Sequence, residues 1–387
     1  MKRTRRFTAR RKGNVLVLTA FMMVTMMAML SVAVDIGYLQ TARCQLQQSA
    51  DAAALAAAAE LIDDEALTGN PGMSDEIDHA RAYAIQFAAA NKVCTAQPVV
   101  NSNSSNNPAG DIVVGYLSNP SDPNAAMDYT NSDLFNAVQV RVRRTTASNG
   151  EVPFFFARAL GVNSIGIETG ATAALVKNFR GFRSPGNGGK LQLLPFALDV
   201  QTWNGLIAGG GTDSWTWDPS TGTVRAGSDG TREVNLYPQA TGSSGNRGTV
   251  DIGSSNNSTN DIARQITDGI SQADLDHLGG TIEFDANGEL SLNGDTGISA
   301  GVKDELASII GDPRMIPIFS EVHGPGNNAN YTIVAFAGVR LMEVKLTGSN
   351  SSKRVIIQPA RVTTGGGIPG SGPQTSYFVY SPVWLVR

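Results

Sequence analysis

The chain begins with a basic segment, continues with an apolar segment and then becomes amphipathic. Residues 13–34 contain no charged side chain. As an α-helix they would extend about 33 Å, enough to cross the hydrocarbon core of a bilayer. Beyond them, apolar residues recur three, four or seven positions apart, which indicates one helical face. We therefore expect a membrane span that continues into a soluble helix without a break. The apolar positions of that face are Leu39, Leu46, Ala50, Ala53, Ala57 and Leu61.

A turn and a second helical pattern follow. Residues 69–72 read Gly-Asn-Pro-Gly, a strong turn signal. Ser74 is placed to act as an N-cap, and apolar residues recur at helical spacing between residues 77 and 88. The sequence therefore predicts an antiparallel helical hairpin over residues 35–95.

Strand patterns dominate the rest of the chain. Residues 136–144 read "NAVQVRVRR", in which apolar and polar side chains alternate. The aromatic cluster Phe154–Phe156 is expected in the core, and residues 281–294 are expected to form a hairpin. The Gly-rich residues 180–190 are expected to link two domains.

The fold class expected from these patterns is α+β, with a single N-terminal transmembrane helix running into a long helical hairpin, followed by β-rich exported domains. The predicted divisions are a basic cytoplasmic tail (1–12), a transmembrane helix (13–34), the hairpin (35–95), the β-rich part of a first module (96–179), a linker (180–190) and a β-rich C-terminal domain (191–387).

The distribution of charge predicts the orientation of the span. Seven of the first 12 residues are Lys or Arg, whereas the whole chain has a net charge of −4. This positive-inside pattern predicts a single-pass membrane protein with a cytoplasmic N-terminus and the bulk of the chain outside the cytoplasm. The alternative is a signal peptide cleaved after Ala33, since Ser31-Val32-Ala33 fits the small-x-small pattern. The acidic remainder argues against binding to nucleic acid.

The two cysteines, Cys44 and Cys94, fall at mirrored positions of the predicted hairpin. If the chain folds about residue 68 or 69, the two thiols meet, which favours a disulfide in an oxidising compartment. The alternative is two unpaired thiols. Two cysteines and three scattered histidines do not make a metal site.

Catalytic signatures are not found in the sequence. The motifs G-x-S-x-G and H-E-x-x-H and the phosphate-binding loop do not occur. We therefore predict a protein that is not an enzyme and has no catalytic residue, cofactor, metal or small-molecule substrate.

Four stretches of the chain resemble the TadE/TadG-like Flp pilus-assembly proteins, specifically the large TadG type. The resemblance implies an inner-membrane, membrane-anchored and non-enzymatic component of pilus assembly, with the bulk of the chain periplasmic or extracellular. It also implies roles in adhesion and biofilm formation. It implies other Tad proteins or pilin subunits as partners, and contact with the lipid bilayer through the N-terminal helix. The stretches are Ala33–Ala58, Phe154–Ala173, Gly245–Ile270 and Ile309–Leu346.

Four residues of the long helix are candidates for helix packing or assembly, namely Asp35, Tyr38, Ala53 and Ala57. Asp35 follows the apolar segment directly, so it is either an assembly residue or simply the first solvated one. The Ala-rich run offers a smooth face that permits close helix packing. The competing hypothesis for the whole chain is a secreted or surface-displayed adhesive protein released by cleavage after Ala33. A third class, an exported hydrolase, lacks a catalytic constellation.

Overall fold

The structure is a computed structural model. It describes residues 15–386 except 64, 70–71, 123, 238–246, 254–257, 296, 325 and 371. The predicted basic tail and the Asn-Pro pair of the predicted turn lie outside the described residues.

The described chain combines a few helices with many short strands, which confirms the α+β prediction. The helices are α1 (Val15–Ala59), α2 (Ser74–Ala90), α3 (Val200–Ile207), α4 (Thr259–Asp268), α5 (Gln272–Asp276) and α6 (Lys303–Ser308). The strands are β1 (Ile112–Gly115), β2 (Ala137–Arg144), β3 (Val152–Pro153), β4 (Ser164–Ile165), β5 (Ile167–Ala174), β6 (Phe179–Phe182), β7 (Phe196–Asp199), β8 (Trp215–Asp218), β9 (Thr223–Ala226), β10 (Val234–Asn235), β11 (Arg247–Val250), β12 (Ile282–Glu283), β13 (Leu290–Asp295), β14 (Pro313–His323), β15 (Ala329–Lys345), β16 (Arg354–Pro359), β17 (Val362–Thr363), β18 (Gly367–Pro369), β19 (Ser376–Tyr377), β20 (Val379–Tyr380) and β21 (Trp384–Leu385).

Helix α1 runs without interruption from the apolar segment into the Ala-rich run, as predicted. Every side chain from Val15 to Leu30 is exposed, and the buried face begins at Asp35. Among the described helices α1 alone is long and apolar enough to cross a membrane. The buried residues of its second half are Asp35, Ala42, Leu46, Ser49, Ala50, Ala53, Ala54, Ala57 and Ala58.

Helix α2 packs antiparallel to α1, which confirms the predicted hairpin. The Ser49 hydroxyl donates a 3.1 Å hydrogen bond to the Ala88 carbonyl, deep in the interface. Ser74 is the first helical residue rather than the N-cap, and Met73 holds the cap position without a side-chain hydrogen bond. The hairpin lies on a four-stranded sheet of order β1-β2-β5-β21 and shares one core with it.

The second part of the chain is built around a barrel. Strand β15 is 17 residues long. It pairs with β14 along one edge, and with β13 and then β16 along the other. The ring β15-β13-β11-β7-β14 closes because β14 returns to β15. The β14–β7 pairing is parallel, so the barrel is mixed. Residues of α3, α4 and α6 share a core with this sheet, including Trp203, Ile266 and Leu306.

Two predictions about residues 180–190 and 281–294 are wrong. The expected linker starts inside β6, which pairs with both β12 and β18. A Cβ at Gly181 would lie 2.3 Å from the Ile282 carbonyl oxygen, so glycine there permits close pairing of strands rather than flexibility. The expected hairpin does not form, because β12 pairs with β6 whereas β13 pairs with β11 and β15.

The two parts of the chain also share strands. Strand β21 pairs with β5, with Trp384 opposite Ala174 and Leu385 opposite Ala173. The last described strand therefore completes the sheet of the first module, although the predicted boundary assigns it to the C-terminal domain.

Candidate functional site at the end of the apolar segment

Asp35 is the most unusual residue of helix α1. It directly follows the apolar segment, yet it is only 4% exposed. Its carboxylate accepts hydrogen bonds from three consecutive backbone N–H groups: Phe155 at 2.8 Å, Phe156 at 3.1 Å and Ala157 at 2.7 Å. The reading of Asp35 as the first solvated residue is therefore wrong, because its carboxylate is bound within the chain.

The loop that binds Asp35 is the end of a small hairpin. Strands β3 and β4 pair through Val152–Ile165 and Pro153–Ser164. Residues 154–163, which we call the aromatic tip, connect them and contain the 3-10 helix Ala157–Leu160. That helix ends at Gly161, whose φ of 87° is strained for a residue with a side chain.

The Asp35 carboxylate lies at the N-terminal end of the 3-10 helix. The first N–H groups of a helix have no partner within it, and a carboxylate satisfies them. Burial tends to raise the pKa of Asp35, but the hydrogen bonds from Phe155, Ala157 and Phe156 outweigh it and leave the pKa below its ordinary value. The side chain is therefore ionised at neutral pH and joins α1 to the tip.

Tyr38 lies one helical turn beyond Asp35 and also contacts the tip. We call this attachment of the tip to α1 the junction. Its ring contacts Phe155 edge to face, with 4.9 Å between the ring centroids. A hydrogen bond with Cys94 and burial together raise the pKa of Tyr38. The Cys94 backbone N–H also donates to the Gln45 side chain at 2.8 Å. The end of α2 is thereby attached to the same face of α1 as the aromatic tip.

The predicted disulfide is absent, and both cysteines are free. Cys94 lies beside Gln45, so it is at the predicted level along the hairpin. Cys44 nevertheless points away from it, because neighbouring helical residues point about 100° apart. Cys94 faces Tyr38 and Gln45, whereas Cys44 is exposed.

Ala53 and Ala57 are fully buried in the chain's own core. Helix α1 packs against α2 on one side and against β2 and β5 on the other. The small side chains let these backbones approach closely, but the interface is internal. This face of α1 is therefore not available to a partner.

The aromatic cluster lies at the surface, so its expected place in the core is wrong. Phe155 and Phe156 are 58% and 49% exposed, and Leu160 is 81% exposed. This loop was not predicted to be part of a site. The sequence does contain one signal, an apolar run that ends near Gly161 and connects two strands of only two residues each, which are too short to bury it.

A cavity of 460 Å³ lies between the hairpin and the C-terminal part of the chain. Lys177 and Asp63 are among its lining residues, and the Lys177 ammonium approaches the Met73 sulfur at 3.4 Å. Burial lowers the pKa of Lys177 to about 8, although Asp63 and Glu76 act in the opposite direction. Among the described residues, no cluster of three His, Cys, Asp or Glu is arranged to hold a metal.

Two family models match the first part of the chain. Residues 13–60 match the Flp pilus-assembly TadE/G-like family, and residues 56–173 match the Tad-like Flp pilus-assembly family. No curated relative and no solved structure matches the chain. The matches include the stretches Ala33–Ala58 and Phe154–Ala173 but not the two later stretches that suggested the same family. The TadE/G-like and Tad-like Flp pilus-assembly models together cover residues 13–173, the part of the chain that holds both Asp35 and the aromatic tip.

Proposed function

We propose that the chain is a non-enzymatic, membrane-anchored component of a Tad-type pilus-assembly system, of the large TadG type. The observation that carries this proposal is the family match over residues 13–173. The part after Asp35 acts outside the cytoplasm as a connector or assembly factor. Its contribution to adhesion and biofilm formation is indirect, through the pili that it helps to assemble.

The exposed half of α1 supports the membrane anchor. A soluble helix buries its apolar stripe, whereas all of Val15–Leu30 is exposed and wholly apolar or hydroxylic. Thr19, Thr25 and Ser31 donate their hydroxyls to carbonyls one turn back, which is how hydroxyl groups are satisfied in lipid. The basic residues before the span favour a cytoplasmic N-terminus in the inner membrane.

The unbroken helix also supports retention of the span rather than cleavage after Ala33. Signal-peptide cleavage sites follow short apolar regions, whereas here the helix continues for 26 residues to Ala59. The intact mass of membrane-extracted protein tests this point directly. A chain that retains residues 1–33 supports the anchor, and a soluble chain that starts at Val34 would favour the secreted adhesive protein instead.

Partners are expected among other Tad proteins or pilin subunits. The Ala face of α1 is occupied internally, so a partner must use the lipid-facing half of α1 or the exposed surfaces of the sheets and barrel. No nucleic acid or small-molecule substrate is proposed.

Deletion of the gene tests the function. We expect the deletion strain to lose Flp-type pili while pilin levels stay close to normal, and the wild-type gene to restore piliation. Complementation with Asp35→Asn should restore fewer pili than Asp304→Asn, a matched change of a carboxylate that is 88% exposed. Normal piliation in the deletion strain would refute the proposal.

A further inference from the structure

We propose that the aromatic tip, residues 154–163, inserts into the interface of the bilayer that α1 spans, in the leaflet facing the folded part of the chain. This inference rests on the proposed membrane anchor and adds a second contact with lipid. The occupant of this apolar surface is therefore phospholipid rather than a protein partner.

The position of the tip relative to the span supports this inference. Three backbone N–H groups of the tip lie within 3.1 Å of the Asp35 carboxylate, and Asp35 is the first residue after the uncharged segment. Ser31 is half-buried, whereas Val15–Leu30 are all exposed. Since α1 and the 3-10 helix are in contact, the tip lies beside the last turn of the span. The tip and the last turn of the span therefore lie at the same position along the axis of α1.

The expected depth matches the bilayer interface. Ser31 and Asp35 are separated by about 6 Å along the helix axis. The headgroup region on each side of a hydrocarbon core is about 5–8 Å thick. A tip held at the level of residues 31–35 therefore cannot avoid this region if α1 spans the membrane.

The chemistry of the tip fits an interface. Phe155, Phe156, Leu160 and Val162 are all about half exposed or more. Arg158, in the middle of the set, is exposed as well. Aromatic and aliphatic side chains beside one cation suit the boundary between acyl chains and anionic headgroups. No acidic residue occurs between Val152 and Ile167, and the one carboxylate bound to the tip, that of Asp35, is only 4% exposed. The exposed surface of the tip therefore presents no carboxylate of its own to lipid phosphate.

Contacts within the protein hold the tip in this position in the absence of lipid. The β3–β4 pairing, the bond from Phe154 N–H to the Asn163 carbonyl and the Asp35 carboxylate together fix its base. Insertion therefore requires little ordering of the chain. Two lipid contacts on one rigid body also restrict the tilt and rotation of α1, since interfacial residues are what set these angles.

The experiment uses the full chain in bilayers of zwitterionic and anionic phospholipid, without other proteins. In a Cys44→Ser, Cys94→Ser background, a polarity-sensitive fluorophore is attached to one introduced cysteine at a time. Leu160→Cys reports on the tip and Ala33→Cys on the span. Ala59→Cys, exposed and about 36 Å along α1 from Asp35, is the aqueous control. Quenchers carried on lipid and iodide in water are compared at each site.

We expect the fluorophore at position 160 to be quenched by lipid and protected from iodide, with blue-shifted emission relative to position 59. If position 33 is in lipid but position 160 responds like position 59, the tip inference is overturned and the anchor stands. If position 160 is protected from iodide without being quenched by lipid, the occupant is another copy of the protein and the inference is also overturned. Iodide access at position 33 would overturn the anchor itself.

Hydroxyl-radical footprinting of the unmodified chain provides a second test that needs no variant. Phe87 on α2 is 39% exposed, and its neighbour Ala88 bonds to Ser49, about 21 Å along α1 from Asp35. Phe87 therefore serves as the internal control. In bilayers we expect Phe155 and Phe156 to lose labelling while Phe87 keeps it. Labelling of Phe156 at the level of Phe87 would contradict insertion.

Discussion

The Asp35 carboxylate accepts a 2.7 Å hydrogen bond from the backbone N–H of Ala157, a residue 122 positions away in the chain. This bond joins the point where the apolar segment ends to the end of the β3–β4 hairpin. The first module is therefore attached to the helix at the boundary between its exposed and buried halves.

Substitution of Asp35 tests the strength of the junction. Asp35→Asn removes the charge and turns an amide group toward three N–H donors. Hydrogen bonds to charged groups are stronger than those between neutral groups, so we expect the free energy of unfolding to fall in Asp35→Asn and to stay close to the wild-type value in the exposed control. Denaturant unfolding in detergent measures this, with Asp304→Asn as the exposed control. Equal stability of the two variants would show that the Asp35 carboxylate contributes nothing.

The same pair of proteins should show a pH dependence. Because the folded-state pKa of Asp35 lies below its ordinary value, its contribution is present above about pH 4 and is lost as the pH falls through the folded pKa. The stability difference between wild type and Asp35→Asn should therefore be constant near neutral pH and shrink in acid. A difference that grows on acidification would contradict this assignment.

The packing of α1 against its own module can be tested with two alanines. Ala57 is fully buried whereas Ala59 is exposed. Ala57→Leu forces extra volume between α1 and its neighbours and should lower the free energy of unfolding by about 1–3 kcal/mol. Ala59→Leu should change it by less than about 0.5 kcal/mol. Similar effects at the two sites would mean that the Ala face is not closely packed.

The turn after α2 contains backbone strain that can be relieved. Cys94 and Thr95 have φ values of 50° and 73°, and Val93 and Ala96 exchange two backbone hydrogen bonds around them. A β-branched residue at positive φ is unfavourable, so Thr95→Gly should raise the free energy of unfolding by about 1 kcal/mol. Thr95→Ala keeps the strain and should gain much less. Destabilisation by Thr95→Gly would show that the Thr95 side chain has a role of its own.

The helical half of the fold was predictable from the sequence because its signals are local. The apolar segment, the recurrence of Leu46 and Ala53 and the absence of breaking residues all act within one helix. Strand β2 was likewise evident from alternation along Ala137–Arg144. These elements follow from short-range patterns, and all of them occur in the structure.

The junction was not predictable because its parts are distant in sequence. Nothing near Asp35 indicates that its partners are backbone amides beyond residue 150. The Phe154–Phe156 cluster was expected in the core because apolar side chains are usually buried, but the tip lies beside the span rather than over a core. Glycines of the predicted linker indicated flexibility, whereas Gly181 permits close strand pairing. In each case the deciding contact is tertiary.

The free cysteines give a simple chemical prediction. Cys44 is exposed and Cys94 is half-buried beside Tyr38. We expect rapid alkylation at Cys44 and slower alkylation at Cys94, and no change in intact mass on reduction. Peptide mapping after timed labelling measures both rates. A mass increase on reduction would instead support the disulfide that the hairpin symmetry suggested.

Lys177 predicts how stability responds to alkaline pH. Burial lowers its folded-state pKa to about 8, below the ordinary value of 10.5. Between these two values the unfolded chain binds more protons than the folded chain, so stability should rise with pH. The full gain from this residue is on the order of 3 kcal/mol, since one pKa unit corresponds to about 1.4 kcal/mol. The rise begins near pH 8 and ends near the ordinary pKa.

Lys177→Met isolates this contribution from other groups that titrate in the same range. The variant keeps the length and apolar contacts of the side chain beside Met73 but cannot take up a proton. We expect the difference in unfolding free energy between wild type and Lys177→Met to move in favour of the wild type from pH 8 to pH 10.5. Lys92→Met, at an exposed position, should leave the wild-type dependence unchanged. Parallel curves for wild type and Lys177→Met would mean that Lys177 is solvated, and that the cavity between the hairpin and the C-terminal part admits water.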